Sequence, residues 1–196
     1  MEQKNKISTR TLATGGILTA ISIVLTFFKT PLPLIPSFLE LNVSTIPALI
    51  GGFAFGPVAG ILIVLATQLI HMMVSHTAFV GELADFLMQG SFILVASLIY
   101  MKQKSRKNAF LGVGLGIIAM TIVAAFANYF IMLPFYAKAY MPMEQILGLC
   151  AQINPLIVDK LTYVLYGVVP FNIIKGLVIS LITALTYKHI SRIIRK

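Results

Sequence analysis

The heptapeptide Pro170-Phe171-Asn172-Ile173-Ile174-Lys175-Gly176 sets a carboxamide and an ammonium three residues apart inside an apolar stretch. On a helix that spacing puts Asn172 and Lys175 on one face, a turn apart. A charge near the centre of a membrane-crossing helix costs roughly 2.5–3.5 kcal/mol on insertion scales, so such a residue faces a cavity and marks a ligand or ion path. The alternative is a Lys near a helix end that snorkels to water. Asn128 is another amide in apolar sequence, and Glu82 and Asp85 form an i, i+3 carboxylate pair. That pair suits contact with a ligand, the lining of a pocket or acid/base work, and equally a solvated or ion-paired helix end.

Other chemistry is sparse. His71 and His76 are five apart, off a common helical face, and a metal pair needs further ligands; they read as polar or gating residues, and no metal or cofactor is assigned. Gly112-Val113-Gly114-Leu115-Gly116 lacks the GxGxxG spacing of a dinucleotide loop and reads as a helix-packing surface. There is no Walker-type Gly-Lys-Ser/Thr sequence, so ATP hydrolysis by that route is excluded. The single Cys150 excludes an internal disulfide and a thiolate zinc cage. No serine or cysteine nucleophile with a placed base is evident, and no catalytic residue is assigned.

The elements that must position these groups are membrane helices. Of 196 residues, 58% are hydrophobic and 11% charged, with mean hydropathy +0.94, against about 25% charged in soluble domains. The net charge of +9 sits in short clusters between apolar runs, the pattern of orientation signals rather than of a nucleic-acid surface. Apolar segments at 11–28, 43–55, 57–73, 81–100, 110–133 and 168–187 predict a single all-α membrane domain over 1–196. The stretch 43–55 is short and interrupted by Pro47, Gly51 and Gly52. Eleven of the fifteen basic residues fall in three clusters: before the first segment, at 102–107, and at the end of the chain. If all three are cytoplasmic, an even number of crossings separates them, so 43–55 must cross, with a turn at Gly56-Pro57. Six transmembrane helices with both termini cytoplasmic follow. The first segment lacks a small-x-small cleavage pattern and reads as a retained helix.

This topology puts two loops outside. Residues 29–42 carry Pro31, Pro33 and Pro36 among apolar residues, which suits a stiff loop packed onto something. Residues 135–167 include Cys150 and read as short interfacial helices. At about 1.5 Å per residue, Lys175 lies roughly 8 Å below Pro170 and Asn128 roughly 9 Å below Pro134, so the two share a level. Glu82, Asp85, Gln68 and His71 also sit toward the outside, while the inner halves of the fourth and sixth helices are apolar. That distribution suits an outward pocket closed below and not a channel, which needs a wetted path on both sides.

Ile46-Pro47 with Gly51-Gly52-Phe53-Ala54-Phe55-Gly56-Pro57, then Gly81-Glu82-Leu83-Ala84-Asp85-Phe86, Ala127-Asn128-Tyr129 and the 170–176 heptapeptide together resemble the S components of energy-coupling factor (ECF) vitamin transporters, specifically the riboflavin branch. The resemblance runs over nearly the whole chain, and the last motif is its most specific part. It implies a substrate-binding subunit without catalysis that captures riboflavin, or a related flavin such as FMN, near the outer surface of a bacterial plasma membrane. It also implies assembly with a transmembrane coupling protein and two cytoplasmic ATPases. By the same resemblance, Asn128, Asn172 and Lys175 are polar ligand contacts, and Leu41 and Asn42 of the first outer loop cover the site. Gly16 and Ala20 on the first helix match a small-residue face that docks the coupling protein. Glu2 stands where the nickel and cobalt branches carry His, which argues against a metal substrate. The competing reading is an intramembrane enzyme acting on a lipid or prenyl substrate through Glu82, Asp85 and His71.

Overall fold

The computed structural model describes residues 9–195 except 34, 37, 38 and 76, with side chains left undescribed at 10 and from 187 onward. His76 therefore lies outside the described residues. The elements are α1 (Thr9–Thr26), a ribbon of β1 (Thr30–Pro31) and β2 (Glu40–Leu41), α2 (Thr45–Phe55), α3 (Pro57–His71), α4 (Val80–Lys102), α5 (Arg106–Ala127), α6 (Leu133–Ala139), α7 (Met143–Ile153), α8 (Lys160–Tyr163) and α9 (Val169–Arg195). The chain is an all-α membrane protein carrying one minimal antiparallel ribbon, in which Thr30 faces Leu41 and Pro31 faces Glu40.

Two of the long helices contain one π turn each, at Asn128–Met132 between α5 and α6 and at Val164–Val168 between α8 and α9. Each has the same cause. The N–H of Leu133 bonds to the carbonyl of Asn128 and that of Val169 to Val164, five residues back, and the next residue is Pro134 or Pro170. Proline has no N–H to give and its ring collides with the carbonyl four residues back. Widening the turn before it keeps the helix continuous.

Among the described residues, four helical stretches are long and apolar enough to cross a membrane: Pro57–Val74, Val80–Lys102, Arg106–Ala139 and Lys160–Thr186. Thr11–Thr26 of α1 and Thr45–Phe55, which is α2, are shorter apolar helices. The surface agrees with a lipid solvent. Phe110, Ile118, Ile122, Phe126 and Phe130 are all exposed along α5 and its π turn, an apolar face far beyond what a water-soluble monomer shows.

α2 is the hub. Its 11 residues include nine buried ones, and Leu49, Ile50 and Phe53 pack with Ile63 and Val64 of α3, Phe92 and Ile93 of α4, Met120 of α5 and Ile179 of α9. Its length gives a rise of only about 16 Å, so it sits within the bundle, walled by neighbours, more than it faces lipid. Gly56 ends it at φ 100°, a left-handed conformation that glycine adopts without a Cβ penalty, and Pro57 starts α3 where no N–H is needed. The glycines at 112 and 116 do pack helices: a Cβ at Gly112 would lie 2.6 Å from the Ala96 carbonyl, and one at Gly116 would lie 2.8 Å from the Phe92 ring. α5 thus lies directly on the backbone of α4.

A second apolar cluster forms at the other end, from Ala124, Leu133, Ile146, Cys150, Ile157, Tyr163, Val164 and Val168, with Leu39 of the 29–42 loop packed on it. That loop is anchored as its composition suggests: Ile35 is buried and Lys29 pairs with Glu40 at 3.3 Å across the ribbon. Ser22 Oγ donates to the Ser44 carbonyl at 2.6 Å and so ties α1 to the start of α2. α7 and the segment after it fill the region between residues 139 and 160.

Candidate ligand-binding site

A cavity of about 170 Å³ opens at the end of the bundle where α1 and α3 finish and α4 begins. Six of the seven residues expected to bind ligand line it: Asn42, Glu82, Asp85, Asn128, Asn172 and Lys175. Leu41 does not; it is half-buried in β2, and its neighbours Glu40 and Asn42 line the cavity instead.

The π turns aim the amides. Asn128 opens the first of them and is buried; its Nδ2 donates to the Ala124 carbonyl at 2.9 Å, and its Oδ1 accepts from the Tyr163 hydroxyl at 3.3 Å. Asn172 follows the second; its Nδ2 donates to the Val168 carbonyl at 2.9 Å, and its Oδ1 has no partner among the described residues. One turn on, Lys175 is only 4% exposed. Its Nζ lies 3.8 Å from Asp85 Oδ1 and 6.0 Å from the Phe171 ring centroid, beyond hydrogen-bond length in both cases. Gly176 lets this part of α9 close on α5, since a Cβ there would come within 2.6 Å of Ile117 Cγ1.

On the opposite wall Glu82 is a buried carboxylate with a full set of donors. His71 Nδ1 donates to Oε1 at 3.1 Å, and Ser75 and Thr77 hydroxyls donate to Oε2 at 2.8 and 2.9 Å. The residues between α3 and α4 bend for this purpose: Ala78 and Phe79 both have positive φ, 47° and 68°, and Ser75 Oγ accepts from the Phe79 N–H at 3.3 Å. Glu82 therefore organises the wall, whereas Asp85, with 31% of its side chain exposed, can reach a ligand. The i, i+3 spacing brought both carboxylates to the cavity; the Ser75 and Thr77 donors had no periodic signature. Thr26, Met88, Met132 and Tyr136 also line the space and were missed because, in so apolar a chain, methionines, tyrosines and helix threonines are also ordinary lipid-facing or core residues.

Asn42 completes the roof. Its Oδ1 accepts from Ser44 Oγ at 2.7 Å, and its amide nitrogen has no acceptor among the described residues. Buried groups this polar, left with hydrogen-bonding capacity toward a cavity, suit a polar ligand. Among the described residues no group of three or more His, Cys, Asp or Glu is placed to hold a metal ion.

Fold and cavity define a membrane-embedded protein with a polar-lined cavity at one end. The sequence profile described as "ECF transporter, substrate-specific component" matches residues 10–187. The riboflavin transporter RibU of Staphylococcus aureus is 38% identical over 192 residues, spanning 98% of this chain and 96% of its own. FmnP of Bacillus subtilis, also a riboflavin transporter, is 29% identical, spanning 90% of this chain and 89% of its own. A solved structure described as the S component of a bacterial ECF transporter superposes with a TM-score of 0.75 at 36% identity, covering 95% of this chain and 98% of that one. The chain belongs to the family of ECF transporter substrate-specific components, multi-pass proteins of the bacterial plasma membrane. The lipid-modifying enzyme considered from the sequence is thereby set aside.

Proposed function

We propose that this chain captures riboflavin from outside the cell in the cavity between α1, α3, α4, α5 and α9, and hands it to an ATP-driven import complex. The observation that carries the reading is the set of buried polar groups with spare hydrogen-bonding capacity that line one cavity, Lys175, Asn172 and Asn42. Riboflavin's pyrimidine edge alternates carbonyls with an N–H and its ribityl arm is a row of hydroxyls, so amides and an ammonium match it. The names of the similar proteins above point the same way. Asn128, Asn172 and Lys175 are its contacts, with Asp85 beside them, Glu82 holding the wall, and Asn42 covering with Leu41 behind it. Purified protein is expected to carry a yellow ligand that fluoresces once released, and stripped protein to quench added riboflavin at a one-to-one ratio. Colourless protein that fails to quench riboflavin overturns the reading.

Six crossings with both termini cytoplasmic remain the topology that the basic clusters support. Lys102, Lys104, Arg106 and Lys107 are all exposed in the α4–α5 turn, at the end of the bundle opposite the cavity. Cys150, the natural thiol for mapping, is fully buried, and burial pushes its pKa up to about 11; native protein is expected to resist maleimide. In a Cys150→Ser background, Gln145→Cys on the exposed side of α7 is expected to react with an impermeant maleimide in intact cells, and Lys104→Cys only in inverted vesicles. The reverse pattern would discard this topology.

The import complex consists of a transmembrane coupling protein and two ATPases. Its docking face on this chain includes Gly16 and Ala20 of α1, both exposed.

A further inference from the structure

The connection between α3 and α4, residues 72–79, turns its apolar side chains outward and its described polar ones inward. Met73, Val74, Ala78 and Phe79 are exposed, Met73 by 84% and Phe79 by 58%. Ser75 and Thr77 point the other way and give their hydroxyls to the buried Glu82. The backbone is satisfied from within as well: the N–H of Ser75 bonds to the Met72 carbonyl, those of Thr77 and Phe79 to Ser75 Oγ, that of Val80 to the Thr77 carbonyl and that of Gly81 to Thr77 Oγ1, at 3.1–3.3 Å. A turn in water can leave such groups to solvent, whereas one against lipid must satisfy them itself. Residues 72–81 contain no Lys, Arg, Asp or Glu. Phe79 is held outward at φ 68°, next to Ala78 at 47°, a left-handed backbone that a bulky aromatic residue rarely adopts.

We infer that this connection is a membrane anchor, with Met73, Val74 and Phe79 set into the phospholipid layer where headgroups meet acyl chains. The patch continues the lipid-facing sides of its two helices. Leu69 and Ile70 stand four and three residues before Met73, Leu83 stands four after Phe79, and all three are exposed. Phe27 and Phe28 at the end of α1 are exposed too, and the Phe27 ring lies 6.0 Å from that of His71, just before the connection. Helix length sets the depth. At the other end of α3 a Cβ on Gly56 would lie 4.0 Å from Met101 Cε, beside the exposed Lys102 that marks the water boundary there. From that level Pro57–Val74 has 18 residues, a rise of about 27 Å against a hydrocarbon core of about 30 Å. Val74 therefore does not clear the acyl chains, and the turn after it lies at their outer edge. A segment with one apolar side settles there roughly 5–10 Å into the boundary. The anchor pins the Glu82 wall to the membrane whatever ligand the cavity holds.

The chain contains no tryptophan, so a single introduced one reports only on its own surroundings. Phe79→Trp and, separately, Met73→Trp are made in the full chain and reconstituted at low protein density in phosphatidylcholine–phosphatidylglycerol vesicles. Emission from both is expected to fall at least twofold when the lipid is replaced by one brominated high on its acyl chains, and to be hardly touched by acrylamide in the water. Gln145→Trp, on the exposed side of α7, is expected to show the reverse. Met73→Trp leaves the left-handed turn alone and keeps the test available if Phe79→Trp does not fold. Acrylamide quenching at 73 and 79 as strong as at 145 puts the connection in water and overturns the anchor. Protection from both quenchers means that a second copy of this chain covers the patch, which overturns it equally.

Discussion

Lys175→Ala is expected to weaken riboflavin binding by roughly ten- to a hundredfold, the range given by one or two hydrogen bonds from a charged donor. The ammonium is buried, has no hydrogen-bond acceptor among the described residues, and sits between Asp85 and the Phe171 ring at the cavity wall. Its removal also leaves the Asp85 carboxylate facing the ligand without a counter-charge, which adds to the loss. Lys175→Met keeps the aliphatic stem and is expected to lose as much affinity, which separates the ammonium from the packing. Asn128→Ala is expected to act in the same direction, but it also takes an acceptor from the Tyr163 hydroxyl. Tyr163→Phe is therefore the control: it tests the support without touching the cavity's amide. The measurement is quenching of flavin fluorescence by folded, ligand-stripped protein. Parent-like affinity in Lys175→Ala and Lys175→Met would remove this lysine from the site.

Much of this arrangement was legible because helices convert spacing into direction. Asn172 and Lys175 share a face at i, i+3, and counting down from Pro170 and Pro134 set Lys175 and Asn128 at one level; all three line the cavity. The π turn in each helix went unread, although its cause, a proline with no N–H to give, stands in the sequence at both places. Its consequence is a rotation of the flanking amides that periodicity alone does not supply. The wall around Glu82 was less legible still. Ser75 and Thr77 act from a segment whose Ala78 and Phe79 hold positive φ, a backbone that neither residue type announces. An outer-loop position for Cys150 says nothing of its burial: α7 is amphipathic and turns Ile146 and Cys150 inward onto Tyr163 and Val164. Short interfacial helices have one buried face, and the cysteine lies on it.

Gly16→Leu and Ala20→Leu are expected to abolish most uptake in cells while leaving riboflavin binding by the isolated subunit unchanged. The two residues stand at i, i+4 on α1, so they lie on one face, and both are exposed. A Cβ at Gly16 would meet nothing within 4 Å; the small side chains are therefore not explained by packing inside this chain. The opposite face of α1 does that work, through Leu18 in the core and Ser22 bound to the Ser44 carbonyl. In lipid, where leucine is as well solvated as alanine, a small-x₃-small face matters only when another helix approaches closely. Bulk added there costs the fold nothing, but holds a partner helix away by the width of a side chain. Neither residue lines the cavity, so binding is expected to survive, and co-purification with the coupling protein is expected to fall in step with uptake. Normal uptake by both variants would remove this face as the docking surface, and loss of flavin binding in both would show that the face supports the fold instead.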